Sequence, residues 1–209
     1  MPAGGFKTFT AGSVLTASDV NAYLMQGVLV FTNEAARDAA ITAPQEGMVA
    51  YLTSPSVPAA TGGTTALPTG VRTIYNGTNW VCVTPVGAYT SNQGTTTSAT
   101  FTATLGSGGT NPSVTLVTGT SARVSIAAVQ YVSASANSYM GVAVSGAGTV
   151  AATSSPATFN NSTIAVTLAR TFIFTGLTAG TNTFTLQYRC DGANTGFFQD
   201  RGITVEGIA

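Results

Sequence analysis

Three acidic residues near the C-terminus are the side chains that come closest to a catalytic arrangement. Asp191, Asp200 and Glu206 fall in the last two predicted strands and the loop between them, and paired carboxylates are the usual catalytic groups of glycosidases. Arg189 and Arg201 are interleaved with them, which favours surface ion pairs and turn residues over a catalytic pair. Because the chain has no histidine, it cannot form a Ser-His-Asp triad or use a histidine base. We therefore predict no catalytic residue and no enzymatic activity.

The two cysteines, Cys82 and Cys190, both stand in apolar, strand-like segments. Buried free thiols are the favoured interpretation, with a disulfide bond between them as the alternative. Two cysteines without a histidine do not make a zinc site. The glycine-rich segment 106–112 lacks the Lys-Ser/Thr pair of a phosphate-binding loop. The sequence thus predicts no metal and no cofactor.

Four aromatic residues are candidates for stacking on a sugar ring. Tyr75 and Trp80 flank an Asn-Gly turn, and Tyr131 and Tyr139 lie in the C-terminal region. For Trp80 the alternative is a core position beneath a predicted helix. For Tyr131 and Tyr139 the alternative is the core or a subunit interface.

The charge of the chain is low and balanced. Seven basic and seven acidic residues in 209 make a charged fraction of 7%, against roughly 25% in typical globular domains. Nucleic-acid binding and adsorption to an anionic membrane surface need clustered Lys and Arg, so neither partner is expected. No apolar run reaches the ~18–20 residues of a membrane span. The first 20 residues have no apolar core of a signal peptide, so we expect a protein made in the cytoplasm and not exported by this route.

The first region, residues 1–87, alternates short helical and strand patterns. Asn33 is a suitable N-cap, and Glu34 and Arg37 are spaced to pair on the solvated face of a helix. An Asn-Gly pair favours a tight hairpin turn. The predicted elements are a helix at 16–26, a buried strand at 27–31, a helix at 33–41, a strand at 47–53, a loop at 54–70 and a β-hairpin at 71–84.

The second region, residues 88–209, consists of alternating apolar and polar segments separated by turn residues. In one of them Ile164, Val166 and Leu168 are expected to face inward. Such spacing is typical of an antiparallel sandwich, with a jelly roll as one version. The fold class is therefore mainly β: a small N-terminal α/β module followed by an antiparallel, jelly-roll-like β-sandwich. The predicted strands are 99–105, 113–117, 123–129, 139–144, 163–168, 171–177, 182–190 and 202–208.

The edges of this sandwich lack the usual protection against strand pairing. Between Thr73 and Ala169 the only charged residue is Arg123, whereas edge strands of monomeric sheets commonly carry Lys, other charges or Pro. Edges without these devices are most safely covered by other copies of the chain. We therefore predict a homo-oligomer.

Both ends of the sequence resemble virion proteins of phages that infect Gram-positive, especially actinobacterial, hosts. The segments "FTAGSVLTASDVNAYLM" (9–25), "VLVFTNEAARDAAITAPQEGMVAYL" (28–52) and "TIYNGTNWVCV" (73–83) are similar to the N-terminal region of minor tail and appendage proteins. The ending, "GLTAGTNTFTLQYRCDGANTGFFQDRGITVEGI" (176–208), is similar to the last strands of their β-sandwich heads. The resemblance leaves the segment 54–70 and the middle strands uncovered.

The resemblance implies a structural protein of the virion, a trimeric tail or head appendage with a docking N-terminal region and a projecting sandwich. No heptads, collagen-like repeats or β-helix stalk separate the two regions, which favours a short fibre or a decoration-type knob. Partners would be other copies of the chain and other tail or capsid proteins. The candidate docking residues are Phe6, Phe9, Leu15, Val20, Tyr23 and Leu24.

Glycan binding is a second function that the sequence allows. The same sandwich could bind a host-surface glycan through exposed Tyr, Trp, Asn and Gln side chains, because neutral, hydroxyl-rich surfaces with aromatic residues suit uncharged sugars. A concave, exposed aromatic cluster would favour this function over a purely structural one.

Overall fold

The computed structural model describes residues 11–14, 16, 28–192 and 194–209. Within them lie one short helix and fifteen strands, arranged in three sheets. The elements are β1 (Leu29–Phe31), α1 (Glu34–Ala40), β2 (Val49–Leu52), β3 (Ala59–Thr61), β4 (Thr64–Ala66), β5 (Val71–Tyr75), β6 (Trp80–Cys82), β7 (Val86–Thr90), β8 (Gly94–Thr96), β9 (Ser113–Thr118), β10 (Ser121–Val132), β11 (Ser138–Gly146), β12 (Ala157–Asn160), β13 (Val166–Thr175), β14 (Gly180–Cys190) and β15 (Gly196–Ile208).

The N-terminal sheet has four strands in the order β1-β2-β5-β6. β1 and β2 are parallel, and the other pairs are antiparallel. Helix α1 connects the two parallel strands, and its N-cap Asn33 accepts a hydrogen bond from the Ala36 N–H at 3.0 Å. The predicted helix at 33–41 and hairpin at 71–84 are thus confirmed. The helix predicted at 16–26 lies, apart from Thr16, outside the described residues.

The other two sheets pack face to face as an antiparallel β-sandwich. One has the order β13-β10-β15-β7-β4, with β8 also pairing with β15, and the other has the order β12-β11-β14-β9-β3. The predicted β-rich sandwich is confirmed. Its core comes from alternate residues of both sheets, such as Val124 and Ile126 in β10 and Phe184 and Leu186 in β14, all of them buried. Burying each such side chain contributes on the order of 1.5–3 kcal/mol.

A β-bulge in β15 turns a charged side chain into this core. The pairing of β10 with β15 shifts between Ala127 and Val129, and Asp200, at the bulge, has φ 50°. An extra residue in one strand reverses the alternation of faces beyond it. As a result both Phe198 and Arg201 point into the sandwich and are buried.

A polar network ties the two sheets together beside β12. The Gln130 side-chain amide donates to the Ser138 backbone carbonyl at 2.7 Å, and its amide oxygen accepts from the Thr158 hydroxyl at 2.9 Å. Asn160 donates to the Gln130 backbone carbonyl. All four residues are buried, and buried polar groups are stable only when they are satisfied in this way. β12 is therefore held against β10 of the opposite sheet.

Several predictions about individual elements are wrong. The segment 99–105 forms no strand; it follows the edge of β14 with a single bridge from Thr102 to Tyr188. The predicted loop at 54–70 contains β3 and β4, which add edge strands to the two sandwich sheets by pairing with β9 and β7. The strand predicted at 27–31 is present as β1, but it is not buried, since Val30 is 64% exposed.

The two strands predicted at 163–168 and 171–177 are one continuous edge strand, β13. Ile164 and Val166, expected to face the core, are exposed. Alternation in sequence identifies a face but not whether anything covers it, so an edge strand can carry the pattern of a buried one.

The pairing of sheets does not follow the predicted division between residues 87 and 88. β3 and β4 precede that point yet belong to the sandwich, and β7 spans it. The N-terminal sheet meets the sandwich at Gly207 in β15, where a Cβ atom would lie 2.7 Å from both the Cys82 carbonyl oxygen and Val81 Cγ1. The close approach of β6 to β15 therefore needs a residue without a side chain.

Gly207→Ala should destabilise the protein by about 1–3 kcal/mol, because the added methyl group overpacks a rigid backbone contact. Gly202→Ala in the same strand is the control, since its nearest neighbours would be an ordinary 3.7 Å away. Urea unfolding of the two variants measures the difference. Equal stability of the two variants would contradict the described contact between β6 and β15.

Candidate functional site

An aromatic cluster lies on the outer face of the five-stranded sheet. Tyr139 in β11 is opposite Phe159 in β12 and Arg189 in β14, so the three side chains stand side by side. The Tyr139 and Phe159 rings are tilted, with centroids 5.2 Å apart. The Arg189 guanidinium carbon is 4.4 Å from the Tyr139 ring centroid, a cation–π distance. Phe159 is 46% exposed.

A loop completes this cluster on its other side. Phe101, from the segment that bridges to β14, places its ring 5.6 Å from the Arg189 guanidinium carbon. The ring fits there because Gly141 has no side chain; a Cβ atom would lie 3.2 Å from Phe101 Cε1. Arg189 is therefore held between Tyr139 and Phe101, and its Nε is buried without a hydrogen-bond partner.

Polar groups border the same cluster. Arg189 Nη2 forms an ion pair with Asp191 Oδ1 at 2.9 Å, and Asn137 Nδ2 donates to Asp191 Oδ2 at 3.1 Å. Exposed aromatic faces next to carboxylate, amide and guanidinium groups can stack on a sugar ring and hydrogen-bond its hydroxyl groups. We refer to Phe101, Tyr139, Phe159, Arg189 and Asp191 as the aromatic–arginine cluster.

The other predicted glycan contacts lie elsewhere. Tyr131 stacks on Phe197 with ring centroids 4.4 Å apart, and its hydroxyl accepts a hydrogen bond from Gln93 at 2.8 Å; this pair belongs to the six-stranded sheet. Tyr75 packs on Trp80 at 5.4 Å. The four candidates are thus divided among three places, and only Tyr75 and Trp80 touch.

Trp80 is buried, as its alternative interpretation predicted. The guanidinium carbon of Arg37 in α1 lies 4.7 Å from the Trp80 ring centroid, and Arg37 itself is buried. The predicted ion pair between Glu34 and Arg37 is wrong. Arg37 instead pairs with Asp38 at 2.8 Å, because its side chain turns under the helix towards Trp80.

Glu34 binds the segment that leads into the sandwich. Its carboxylate accepts hydrogen bonds from the Ser56 N–H, the Ser56 hydroxyl and the Val57 N–H at 2.9–3.0 Å. Burial alone would raise the pKa of Glu34, but these hydrogen bonds outweigh it and hold the pKa below its usual value. Glu34 and Arg37 therefore hold α1 against other parts of the protein. The prediction that they lie on a solvated face of the helix is wrong.

A cavity of about 210 Å³ lies beneath α1. Its lining includes Glu34, Arg37, Thr73, Trp80 and Cys82. Binding pockets for small molecules are usually about 300–1,000 Å³. This cavity is smaller, and its charged groups already have partners within the protein.

The three carboxylates considered for catalysis are bound to different partners. Asp191 pairs with Arg189, Glu206 with Arg123, and Asp200 accepts a hydrogen bond from Tyr89 at 2.6 Å. No hydrogen bond or ion pair connects any two of them in the described part of the chain. Among all residues that the structure describes, no three His, Cys, Asp or Glu side chains are grouped closely enough to hold a metal ion.

Cys82 and Cys190 are free and buried, as predicted. Burial raises the pKa of both thiols above the usual value, so neither is a reactive thiolate at neutral pH. Of the helices that the structure describes, none is long and apolar enough to span a membrane. The six candidate docking residues lie outside the described residues and stay predictions; they are Phe6, Phe9, Leu15, Val20, Tyr23 and Leu24.

Sequence reasoning missed Phe101, Phe159 and Arg189 as neighbours of Tyr139. β12 was not predicted, and Arg189 was considered only as a partner for carboxylates. These residues come together because β11 pairs with β12 on one side and with β14 on the other. The spacing of residues along the chain does not show which strands pair.

No protein-family model matches the chain, and a comparison with curated proteins finds no match. Among solved structures, the chain is similar to the CBM22-1 xylan-binding domain of Xyn10C from Paenibacillus barcinonensis. The TM-score is 0.25 and the sequence identity 11%, and the alignment covers 58% of this chain and 87% of that one. A likeness at this TM-score supports no statement about function.

Glu34→Gln should lower the free energy of unfolding by about 1 kcal/mol at pH 7, because the charged acceptor of three hydrogen bonds is lost. A carboxyl group whose pKa is lowered on folding stabilises the protein above its unfolded pKa, and the effect disappears as the pH falls through the folded pKa. The difference from wild type should therefore shrink below about pH 4.

Urea unfolding at a series of pH values measures this effect. The control is Glu46→Gln, at an exposed position after the helix, for which we expect little change at any pH. A difference between Glu34→Gln and wild type that stays constant down to pH 3 would contradict the proposed role of the charge.

Proposed function

We propose that the protein is a structural component of a bacteriophage particle, an oligomeric appendage of the tail or head. It docks through its N-terminal region and displays the β-sandwich. It is made in the host cytoplasm and incorporated directly into virions. The assignment to a phage particle is based on the resemblance of residues 9–52, 73–83 and 176–208 to minor tail and appendage proteins.

The observation that carries the structural role is the unprotected edge strand β13. It is ten residues long and contains one charged residue, Arg170, and no proline or glycine. A monomeric protein would be expected to protect such an edge, whereas an assembling protein needs it for contact with other copies. The separate partners of Asp191, Asp200 and Glu206 also favour a structural role over glycoside cleavage, which needs two facing carboxylates.

The outer faces of the sandwich are suited to a domain that is exposed on the outside of a particle. They carry hydroxyl groups that pair across strands, such as Ser125 with Thr171 and Thr115 with Thr183, both at 2.8 Å. Surfaces of this kind are neutral and have few charges that depend on pH or salt. A particle component that meets variable media outside the cell would benefit from this property.

Mass spectrometry of purified particles tests this function, and we expect the intact chain as a stoichiometric component. Exchanging both Phe6 and Phe9 for Ala should then reduce its incorporation strongly, because the two rings are the proposed anchors. Val14→Ala, at an exposed position, is the matched control. Absence of the chain from particles would overturn the proposal, whereas normal incorporation of the double variant would remove only the anchor assignment.

A second candidate function is binding of a host-surface glycan, which the aromatic–arginine cluster favours. Phe159 offers an exposed ring that packs on Tyr139, while Asn137 and Asp191 offer polar groups nearby. In this function the displayed sandwich would recognise an uncharged sugar. It is compatible with a structural role in the particle.

Phe159→Ala should lower the affinity for a host cell-wall polysaccharide about tenfold, as expected for the loss of one stacking ring. Isothermal titration calorimetry with purified polysaccharide measures the change. Tyr51→Ala, an exposed aromatic residue on the N-terminal sheet, serves as the control. Equal affinity of both variants, or no binding by wild type, would argue against this function.

A further inference from the structure

β13 is an edge strand whose exposed side chains are mostly apolar or small. It pairs with β10 along its whole length, from Val166 opposite Gln130 to Thr175 opposite Ser121, without a register shift. Within residues 11–14, 16, 28–192 and 194–209, no strand pairs with its other side. In an antiparallel ladder, half of the N–H and C=O groups of such a strand point outward and stay free to bond.

Apolar side chains are concentrated along this edge. Val166 is 41% exposed and Ile173 58% exposed, and Ile164, just before the strand, is 71% exposed. Phe172 and Phe174 reach the core only with part of their surface and pack against its rim. The edge thus combines free backbone groups with apolar surface that remains in contact with water.

The only charged side chain of β13, that of Arg170, forms a hydrogen bond within the same chain. Arg170 Nη1 donates to the Ala157 carbonyl oxygen of β12 at 3.1 Å, across the open side of the sandwich. The guanidinium therefore does not extend along the free edge, and it leaves the backbone groups of the strand accessible.

We propose that two copies of the chain join by antiparallel pairing of β13 with β13, centred on Ala169. In this register Val166 of each copy lies opposite Phe172 of the other, Thr167 opposite Thr171, and Leu168 opposite Arg170. The six-stranded sheets of the two sandwiches become one continuous sheet through the pair. The inference deepens the proposed function and rests on it for the expectation that copies assemble.

The sequence of β13 favours this register over those centred on Arg170 or Thr171. Two-fold antiparallel pairing places directly opposite residues on the same face, so the centre must lie on a residue. Centring on Arg170 would set two like charges directly opposite each other, which is destabilising. Centring on Thr171 would move Val166 opposite Gly176 and leave its side chain without an apolar partner. With Ala169 at the centre, both phenylalanine and valine gain a cross-strand contact.

Cysteine cross-linking of the full-length protein tests the pairing. In Ala169→Cys the two introduced thiols would face each other across the axis, within the Cα separation of about 4.4–6.8 Å that a disulfide needs. Mild oxidation should then convert most of the protein into a covalent dimer on a non-reducing gel. The native Cys82 and Cys190 are buried and should not contribute.

The matched control uses the same face of the same strand. Thr167→Cys alone should not cross-link, because its two copies would be offset by four residues, or roughly 13 Å along the strand. A mixture of Thr167→Cys and Thr171→Cys chains should cross-link, since these residues are opposite in the proposed register. Equal cross-linking of Ala169→Cys and Thr167→Cys, or of neither, would overturn the inference.

Light scattering of the wild-type chain gives an independent readout, with an even number of copies expected. Val166→Lys should halve the mass, and Val30→Lys, on an exposed position of β1, should not; circular dichroism checks that both variants fold. A wild-type monomer would overturn the pairing. A wild-type trimer would overturn the two-fold pairing as well but leave the proposed function standing, because detection of the chain in particles tests that function separately.

Discussion

The arrangement of the sandwich loops depends on the hydrogen bonds of one buried side chain, the guanidinium group of Arg201. It donates to the Tyr188 hydroxyl at 3.0 Å, to the Asn92 carbonyl at 3.3 Å and to the Gly108 carbonyl. Tyr188 in turn donates to Asn111 at 2.7 Å. A buried charge is costly unless it is hydrogen-bonded; here both terminal nitrogens of the guanidinium have partners, and only Nε has none. The loops after β7 and before β9 must therefore keep their carbonyl groups at this side chain, and they close one end of the sandwich around it.

The strand that contains the bulge, β15, lies in the middle of its sheet. β15 is paired on both sides, with β10 on one and with β7 and β8 on the other, so its free backbone groups are few. β13, at one edge of the same sheet, pairs only with β10 among the strands that the structure describes. This edge strand pairs with β10 without a register shift and carries one charged residue, Arg170. β13 also contacts β12, the strand that carries Phe159, since Arg170 donates to the Ala157 carbonyl oxygen.

The composition of segment 33–52 indicates a charged helix face in contact with water, but two of its charged side chains contact other parts of the protein instead. Glu34 holds the backbone of Ser56 and Val57, and Arg37 covers Trp80. Glu34 thus links the helix to the segment that leads into the sandwich, and Arg37 links it to the N-terminal sheet. The described N-terminal sheet is therefore attached to the sandwich by direct contacts, which is consistent with the short appendage that we propose.

The sequence by itself determined the β-rich class, the helix after Asn33, the hairpin of β5 and β6, the buried thiols and the inward faces of β10, β11 and β14. These features follow from local rules: capping, turn residues and a period of two along strands. Only the tertiary structure decided that Arg201 is buried, that Ile164 and Val166 are exposed, and that Tyr139 meets Phe159 and Arg189. These outcomes depend on a bulge, on which strand lies at an edge and on the order of strands in a sheet. Each of them is set by contacts between residues distant in sequence, which local spacing does not encode.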